Sequence, residues 1–274
     1  MSRMKDLLVA SARLGLEPFL RGGWQSVGWV LGEIVIAVSS IAAPLLLVER
    51  FGSIGTWSAA DMQLLVGFAL TVRGAAFVFS GRQVMMISRK IARGQLDHLL
   101  IQPQPLWRAL ATEGFSPFDL AVTLVLGVIA LISGILRQQD LVSAWWLLSV
   151  PLSLISATLI YIATQYLWGS MAFFAPQGAE EVNTATASAL SQISVYPLGS
   201  LPGGMFVALS TILPVTFLAW MPVSGLLSDS WMPLAVTPLF AVAFCLFTLF
   251  IFRKGLQNYA KRGVARYSDF GHRR

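Results

Sequence analysis

Two charged side chains, Glu33 and Arg73, stand inside otherwise apolar runs of the sequence, where a charge is costly and therefore informative. Counted from the ends of those runs, both lie about 12–14 Å deep at a helical rise of roughly 1.5 Å per residue. Equal depth on adjacent antiparallel helices predicts an intramembrane ion pair tying the two helices together. Two other outcomes stay open: a role in a substrate path or gate, or Arg73 alone reaching toward the headgroups. The ordinary signatures of catalysis are missing elsewhere. No Gly-x-x-x-x-Gly-Lys-Ser/Thr loop is present to cradle nucleotide phosphates with its amides and lysine. His98 and His272 are too isolated for a metal site, which needs three or four converging ligands. No Ser–His–Asp set or paired carboxylates has a believable second member; the nearest polar pair is Glu180 with Glu181. The single cysteine, Cys245, lies in an apolar run, so one chain can build neither a disulfide nor a thiolate metal site. The chain is expected to have no enzymatic activity, resident metal or cofactor of its own.

The elements that must position these residues follow from composition. The 274 residues are 56% hydrophobic and 12% charged, with mean hydropathy +0.71. Soluble domains carry about 25% charged residues. Half that share leaves too few groups to solvate a surface of this size, so lipid is the solvent for the rest. A net charge of +6 and a pI near 9.9 would suit nucleic acid. Here the positive residues flank apolar segments instead of lining a stripe with exposed aromatics, and no nucleic-acid partner is expected. The first apolar stretch begins near Trp24 and runs past Ala42–Ala43. That is too long for a signal-peptide core of about 7–15 residues, so it reads as a retained span.

The expected architecture is an all-α membrane protein forming one transmembrane domain over 1–274. Six apolar runs near 24–47, 62–81, 116–136, 143–173, 203–221 and 232–252 each suit a hydrocarbon core of about 30 Å. The fourth is overlong and must tilt, break near Pro151 or extend beyond the membrane. The fifth contains Pro214 and is followed by Pro222, Gly225 and Pro233, which suggests a broken or re-entrant element. Residues 1–22 are amphipathic, with Arg3, Asp6, Arg13, Glu17 and Arg21 on one arc, and suit a helix lying in the interface; a poorly ordered tail is the alternative. Pro18 should break or kink that helix near its end. Of the 19 Lys and Arg, all but Arg50, Arg73 and Arg137 fall before span one, between spans two and three, or after span six. The positive-inside rule then places both termini in the cytoplasm. The 174–202 loop, inside by this count, has no Lys or Arg and casts no vote. Trp57, Trp145, Trp146, Trp220 and Trp231 fall at predicted outer span ends, as in an aromatic belt.

The longest inward connection, about 82–115, is the most informative segment. Ile87 and Ile91 share a helical face, Gly94 interrupts it, and Leu96, Leu99 and Leu100 form a second apolar stripe that Pro103 and Pro105 stop. Such a stripe needs a covering surface, either a partner protein or the chain's own bundle.

The pattern Ile91-x-x-Gly94-x-Leu96-Asp97-x-Leu99-Leu100-x-x-Pro103 resembles the cytoplasmic signature of ABC-2 type ABC transporter permeases, in a branch of six-span bacterial exporters. Other stretches agree in order: Trp168-Gly169-Ser170-Met171-Ala172-Phe173-Phe174, Tyr196-Pro197-Leu198, and Arg253-Lys254-Gly255-Leu256-Gln257-Asn258-Tyr259. The resemblance spans nearly the whole chain. It implies a permease that pairs with a second copy or paralogue and docks separate ABC ATPase subunits, which bind the ATP and Mg. Residues 94–103 would be the coupling helix, with Leu96, Leu99 and Leu100 as anchors buried in the ATPase. Gly94 would permit the turn, and Asp97 would cap local backbone or pair with the ATPase. The amphipathic amino terminus would be the interfacial connecting helix, and the turn at 222–233 a short extracellular re-entrant gate. The implied setting is the bacterial cytoplasmic (inner) membrane.

Two rival functions remain at this stage. An ion-coupled secondary transporter would need intramembrane acids, of which Glu33 is the clear candidate, and repeated halves, which the sequence lacks. A membrane enzyme or assembly factor would need a polar cluster at one face, for which Glu180 and Glu181 are the nearest material.

Overall fold

A computed structural model describes residues 2–85, 87–92, 94–103, 106, 109, 110, 115, 118, 120–138 and 144–262. The predicted starts of span three at 116 and span four at 143 lie outside the described residues, as do Arg93, Arg108, Arg266, His272, Arg273 and Arg274. The described chain is helical, apart from a small bridge between Ile54 and Trp57. In order the helices are α1 (Ser2–Arg21), α2 (Trp24–Phe51), α3 (Ala59–Met85), α4 (Ile87–Ala92), α5 (Leu96–Leu100) and α6 (Ala121–Arg137). They continue as α7 (Trp146–Gly169), α8 (Pro176–Ile193), α9 (Gly203–Thr211), α10 (Trp220–Leu227) and α11 (Trp231–Arg262), with short 3₁₀ turns at Ser170–Phe173 and Val215–Phe217.

Among the described residues four helical stretches are long and apolar enough to cross a membrane: Trp24–Phe51, Ala59–Gly81, Leu148–Phe173 and Trp231–Lys261. Ala121–Arg137 is apolar but shorter. The chain is therefore a multi-pass, all-helical membrane protein. At about 1.5 Å per residue, the 32 residues of α11 reach roughly 48 Å, well beyond a hydrocarbon core of about 30 Å. Its last turns must project from the bundle. The α1 helix runs unbroken through Pro18, contrary to expectation. So near the carboxyl end, a proline costs one backbone bond and leaves little helix beyond it to disrupt. Leu7, Val9, Leu14 and Leu20 on α1 are exposed.

The centre of the bundle is an antiparallel seam between α3 and α6. A Cβ added to Gly67 would lie 2.3 Å from the Leu131 nitrogen, and one on Gly74 would lie 2.5 Å from the Leu124 Cα. Reciprocally, a Cβ on Gly127 would lie 2.6 Å from the Thr71 nitrogen and one on Gly134 2.8 Å from the Leu64 Cα. Four glycines at heptad spacing, two per helix, let the backbones touch. This is how membrane helices gain contact where lipid removes the hydrophobic driving force. Ser58 and Asp61 cap the start of α3 reciprocally: the Asp61 N–H donates to Ser58 Oγ (3.3 Å), and the Ser58 N–H donates to Asp61 Oδ2 (2.9 Å). Gln138 Nε2 donates to the other Asp61 oxygen at 2.6 Å, fixing the end of α6 to the same place.

The predicted fifth span, 203–221, is not one helix. It is divided among α9, the 3₁₀ turn after Pro214 and the start of α10. Gly199 before it and Trp220 near its end meet, a Cβ on Gly199 lying 2.8 Å from the Trp220 ring. The segment therefore enters and returns at one end of the bundle. The segment expected as an inward loop, 174–202, contains α8 instead. Near its start Glu180 is paired with Arg89; just past its end Pro197, Gly199 and Ser200 line a pocket with Ile54, Trp57 and Asp61. Over about 27 Å, α8 joins opposite ends of the bundle. Its polar sequence hid it, because it packs on α3, α4 and α7, with Asn183 and Leu190 fully buried.

Candidate functional site

The elbow between α3 and α5 is built by two glycines that take backbone conformations other residues avoid. Gly81 (φ 60°) ends the straight part of α3, and Gly94 (φ 69°) turns the chain from α4 into α5. The Gln95 N–H donates to the Lys90 carbonyl at 2.9 Å across that turn, and the Asp97 N–H to the Gly94 carbonyl at 3.2 Å. The resulting α5 is a helix of five residues, too short to stand without packing.

That packing comes from within the chain. Ile87, Ile91, Leu96 and Leu99 are buried, in one cluster with Ala172, Phe173, Phe252 and Tyr259. Phe173 stands edge-on to Phe252 at 5.3 Å and to Tyr259 at 5.9 Å between ring centres. Two more glycines make room. A Cβ on Gly255 would lie 2.3 Å from the Phe173 ring, and one on Gly169 2.1 Å from Ile87 Cγ2. The stretches 87–103, 168–174 and 253–259, separate in sequence, thus form one contact. The 196–198 stretch lies at the opposite end of the bundle.

Polar contacts lock the same elbow. Tyr259 donates its hydroxyl to Asp97 Oδ1 at 2.6 Å, linking α5 to the projecting end of α11. Arg89 donates Nε to Glu180 Oε1 at 2.7 Å, and its terminal NH₂ group reaches the same oxygen. The hydrogen bond to Glu180 holds the Arg89 pKa above its ordinary value, against a smaller opposing effect of burial. Asp97 therefore has a partner within the chain, one that local capping did not foresee.

Leu96 and Leu99 are not available as anchors in a partner: they are 0% and 6% exposed against the chain's own core. A stripe on so short a helix must first hold that helix to its bundle, and these two leucines do so. Leu100 and Ile101, at 41% and 80%, remain outside, with Gln95, His98, Gln102 and Pro103 exposed around them. The sequence reading put Leu100 in the stripe and overlooked Ile101, whose place after α5 turns it outward.

The expected Glu33–Arg73 ion pair does not form. Glu33, 7% exposed, accepts the Thr123 backbone N–H at 2.9 Å through Oε1. The preceding Leu120, in a left-handed conformation, has no side-chain acceptor to cap α6. The first-turn N–H groups of a helix need an acceptor and carry partial positive charge. Glu33 supplies both the acceptor and the opposite charge from 90 residues away. The carboxylate meets a helix end in place of a guanidinium. Arg73 lies instead one helical turn before Phe77, the α3 residue whose ring meets Tyr161 of α7.

At the other end of the bundle a pocket of about 540 Å³ lies between the α2–α3 turn and the re-entrant segment, lined by Trp57, Asp61, Gly199, Trp220, Ser224 and Ser228 among others. Both Asp61 oxygens are already used by Ser58 and Gln138. Trp57 and Trp220 are half-buried here, and Trp146 is 3% exposed, so these three do not form a simple belt in the headgroups. Trp145 and Trp231 remain exposed.

No curated protein and no solved structure matches the chain. A family model described as ABC-2 family transporter protein matches residues 34–263, which include the elbow, both motif stretches packed on it and the re-entrant segment. The chain belongs to the ABC-2 transporter family.

Proposed function

We propose that this chain is the transmembrane permease subunit of an ATP-driven exporter in a bacterial cytoplasmic membrane. It works with a second permease copy or paralogue and with separate ABC ATPase subunits that hold the ATP and Mg. The permease itself performs no covalent chemistry. The observation that carries this reading is the elbow: Leu100 and Ile101 stand exposed on a helix whose other face is fastened to the bundle. An ATPase gripping Leu100, Ile101 and Pro103 would push on Leu96 and Leu99. The push would pass to Phe173 and, through Asp97 and Tyr259, along the long α11. Family membership supports such a partner.

In this reading the elbow end is cytoplasmic, the Trp57 end is outside, and both termini are inside, in accord with the basic residues. The six crossings are α2, α3, α6, α7, α8 and α11, with α8 replacing the 203–221 run. The re-entrant segment then lies on the outer side, where a gate would stand. An ion-coupled carrier loses ground because Glu33, its one candidate acid, is committed to the start of α6.

Purification of the intact assembly tests the proposal. We expect one ATPase chain per permease. Leu100→Asp with Ile101→Asp should abolish ATPase recovery while leaving the permease monodisperse, because both side chains are exposed. An assembly without an ATPase, or one in which the double variant still retains it, would overturn the reading.

A further inference from the structure

The pocket at the end of the bundle away from the elbow holds about 540 Å³. Small-molecule sites span roughly 300–1,000 Å³. Two fixed pieces of chain enclose it. On one side the Ile54 N–H donates to the Trp57 carbonyl and the Trp57 N–H to the Ile54 carbonyl, both at 3.1 Å, which sets the turn carrying Trp57. On the other, Trp220 is held at the start of α10 between Gly199 and the edge-on Phe206 ring, 5.5 Å between ring centres.

The fixed polar groups of this pocket are acceptors. Asp61 accepts from the Ser58 N–H, the Ser58 hydroxyl and Gln138 Nε2. A carboxylate has about four lone-pair positions, so one stays open, and neutral donors leave its charge in place. Ser224 Oγ gives its proton to the Met221 carbonyl at 2.9 Å, and Ser228 Oγ gives its own to the Ser224 carbonyl at 2.7 Å. Both hydroxyls therefore keep lone pairs, and no proton, for an incoming group. Trp220 Nε1 is enclosed, so its N–H is not offered. Among the described residues no Lys, Arg or His lines the pocket, and none forms an ion pair with Asp61. Arg50 and Arg137, the basic residues at this end, are exposed. The start of α3 offsets the carboxylate by roughly half a charge. A net negative charge remains.

We propose that this pocket binds an organic ammonium ion that carries N–H donors on an apolar body. The N–H groups donate to the oxygens of Asp61, Ser224 and Ser228. The charge is held beside the indoles of Trp57 and Trp220, whose faces attract cations. Ile54, Pro197 and Leu227 suit the hydrocarbon. A sugar would also stack on the indoles, but it would leave the carboxylate without a counter-charge. As a station on a transport path, the site rests on the permease reading above.

The test uses the full chain in phosphatidylcholine nanodiscs, titrated with dansylcadaverine, a primary ammonium, and with N-pentyl dansylamide, its neutral counterpart. Empty nanodiscs supply the background. The ammonium should bind saturably and at least about tenfold more tightly, the scale of one charge-assisted contact. Its N,N,N-trimethyl derivative, charged but without ammonium N–H groups, should bind less tightly than the parent. Asp61→Asn keeps an acceptor for Ser58 and removes the charge. It should erase the preference and leave the neutral probe unchanged. Ser224→Ala and Ser228→Ala, whose hydroxyls bond back to their own helix, should each weaken the ammonium alone, and they carry the test if Asp61→Asn does not fold. Equal binding of ammonium and neutral probe, or of parent and trimethyl derivative, would overturn the proposal. So would an Asp61→Asn chain that still prefers the ammonium. Displacement by maltotriose of a probe bound without charge preference would assign the pocket to a sugar instead. Binding is read on the permease alone, so a missing ATPase would sink the transport reading without altering this result.

Discussion

Toward α6, helix α3 presents Gly67 and Gly74 and receives Gly127 and Gly134, so that backbone touches backbone along the seam. Toward α7 the same helix presents Arg73, whose Nε is buried and meets no acceptor, one turn before the Phe77 ring that packs on Tyr161. The first face has no spare volume and no spare charge. The second carries stored cost that packing alone would have removed. Gly81, at the end of this helix, then separates the seam from the elbow beyond it.

The contrast can be broken or sharpened by substitution, and the largest effect should fall on the seam. Gly67→Ala or Gly127→Ala drives a methyl into backbone that has no rotamer to yield, and should cost about 3 kcal/mol or more. A sharply lower unfolding temperature in detergent, or loss of folded protein, would register it; an unchanged temperature would mean the helices are farther apart than described. On the other face the sign should reverse. Arg73→Leu removes an unpaired charge and should raise stability by about 1–3 kcal/mol, read as a higher unfolding temperature in detergent; a lower one would mean that Arg73 has a partner.

A smaller effect comes from Glu33. Glu33→Ala strips α6 of its remote cap and should cost about 1–2 kcal/mol. The reversed pair Glu33→Arg with Arg73→Glu should be no more stable than its worse parent, since the two residues do not touch. Rescue by that swap would restore the ion pair to consideration. The smallest change is expected for Tyr259→Phe, which loses one hydrogen bond to Asp97 worth about 1 kcal/mol and keeps the ring on Phe173. Its mark should be looser coupling of ATP hydrolysis to transport, with the bundle still folded.

Much of the elbow was legible in the sequence because its turn needs glycine and its helices need leucine and isoleucine at helical spacing. Gly94 and the burial of Ile91, Leu96 and Leu99 followed from that pattern. Which surface would cover the leucines did not follow, since a stripe reads alike whether its neighbour is another protein or Phe173 of the same chain. The glycine seam left a signal, Gly67–Gly74 and Gly127–Gly134 at the same interval, that was open to reading. Helix α8 left a misleading one. Its threonines, serines and Asn183 look like a loop because the helix is bedded in protein, whereas 203–221 looks like a span because it is apolar yet folds back on itself.

Composition and charge by themselves determined that this chain lives in lipid, because a peptide with so few ionic groups has no other solvent. Counting along the apolar runs gave only an expected depth for Glu33 and Arg73, which rests on rise per residue. Tertiary structure alone decided what each charge meets. Depth is a property of one helix, but a partner depends on how neighbouring helices are rotated, and that rotation is set by close contacts such as those of the four glycines.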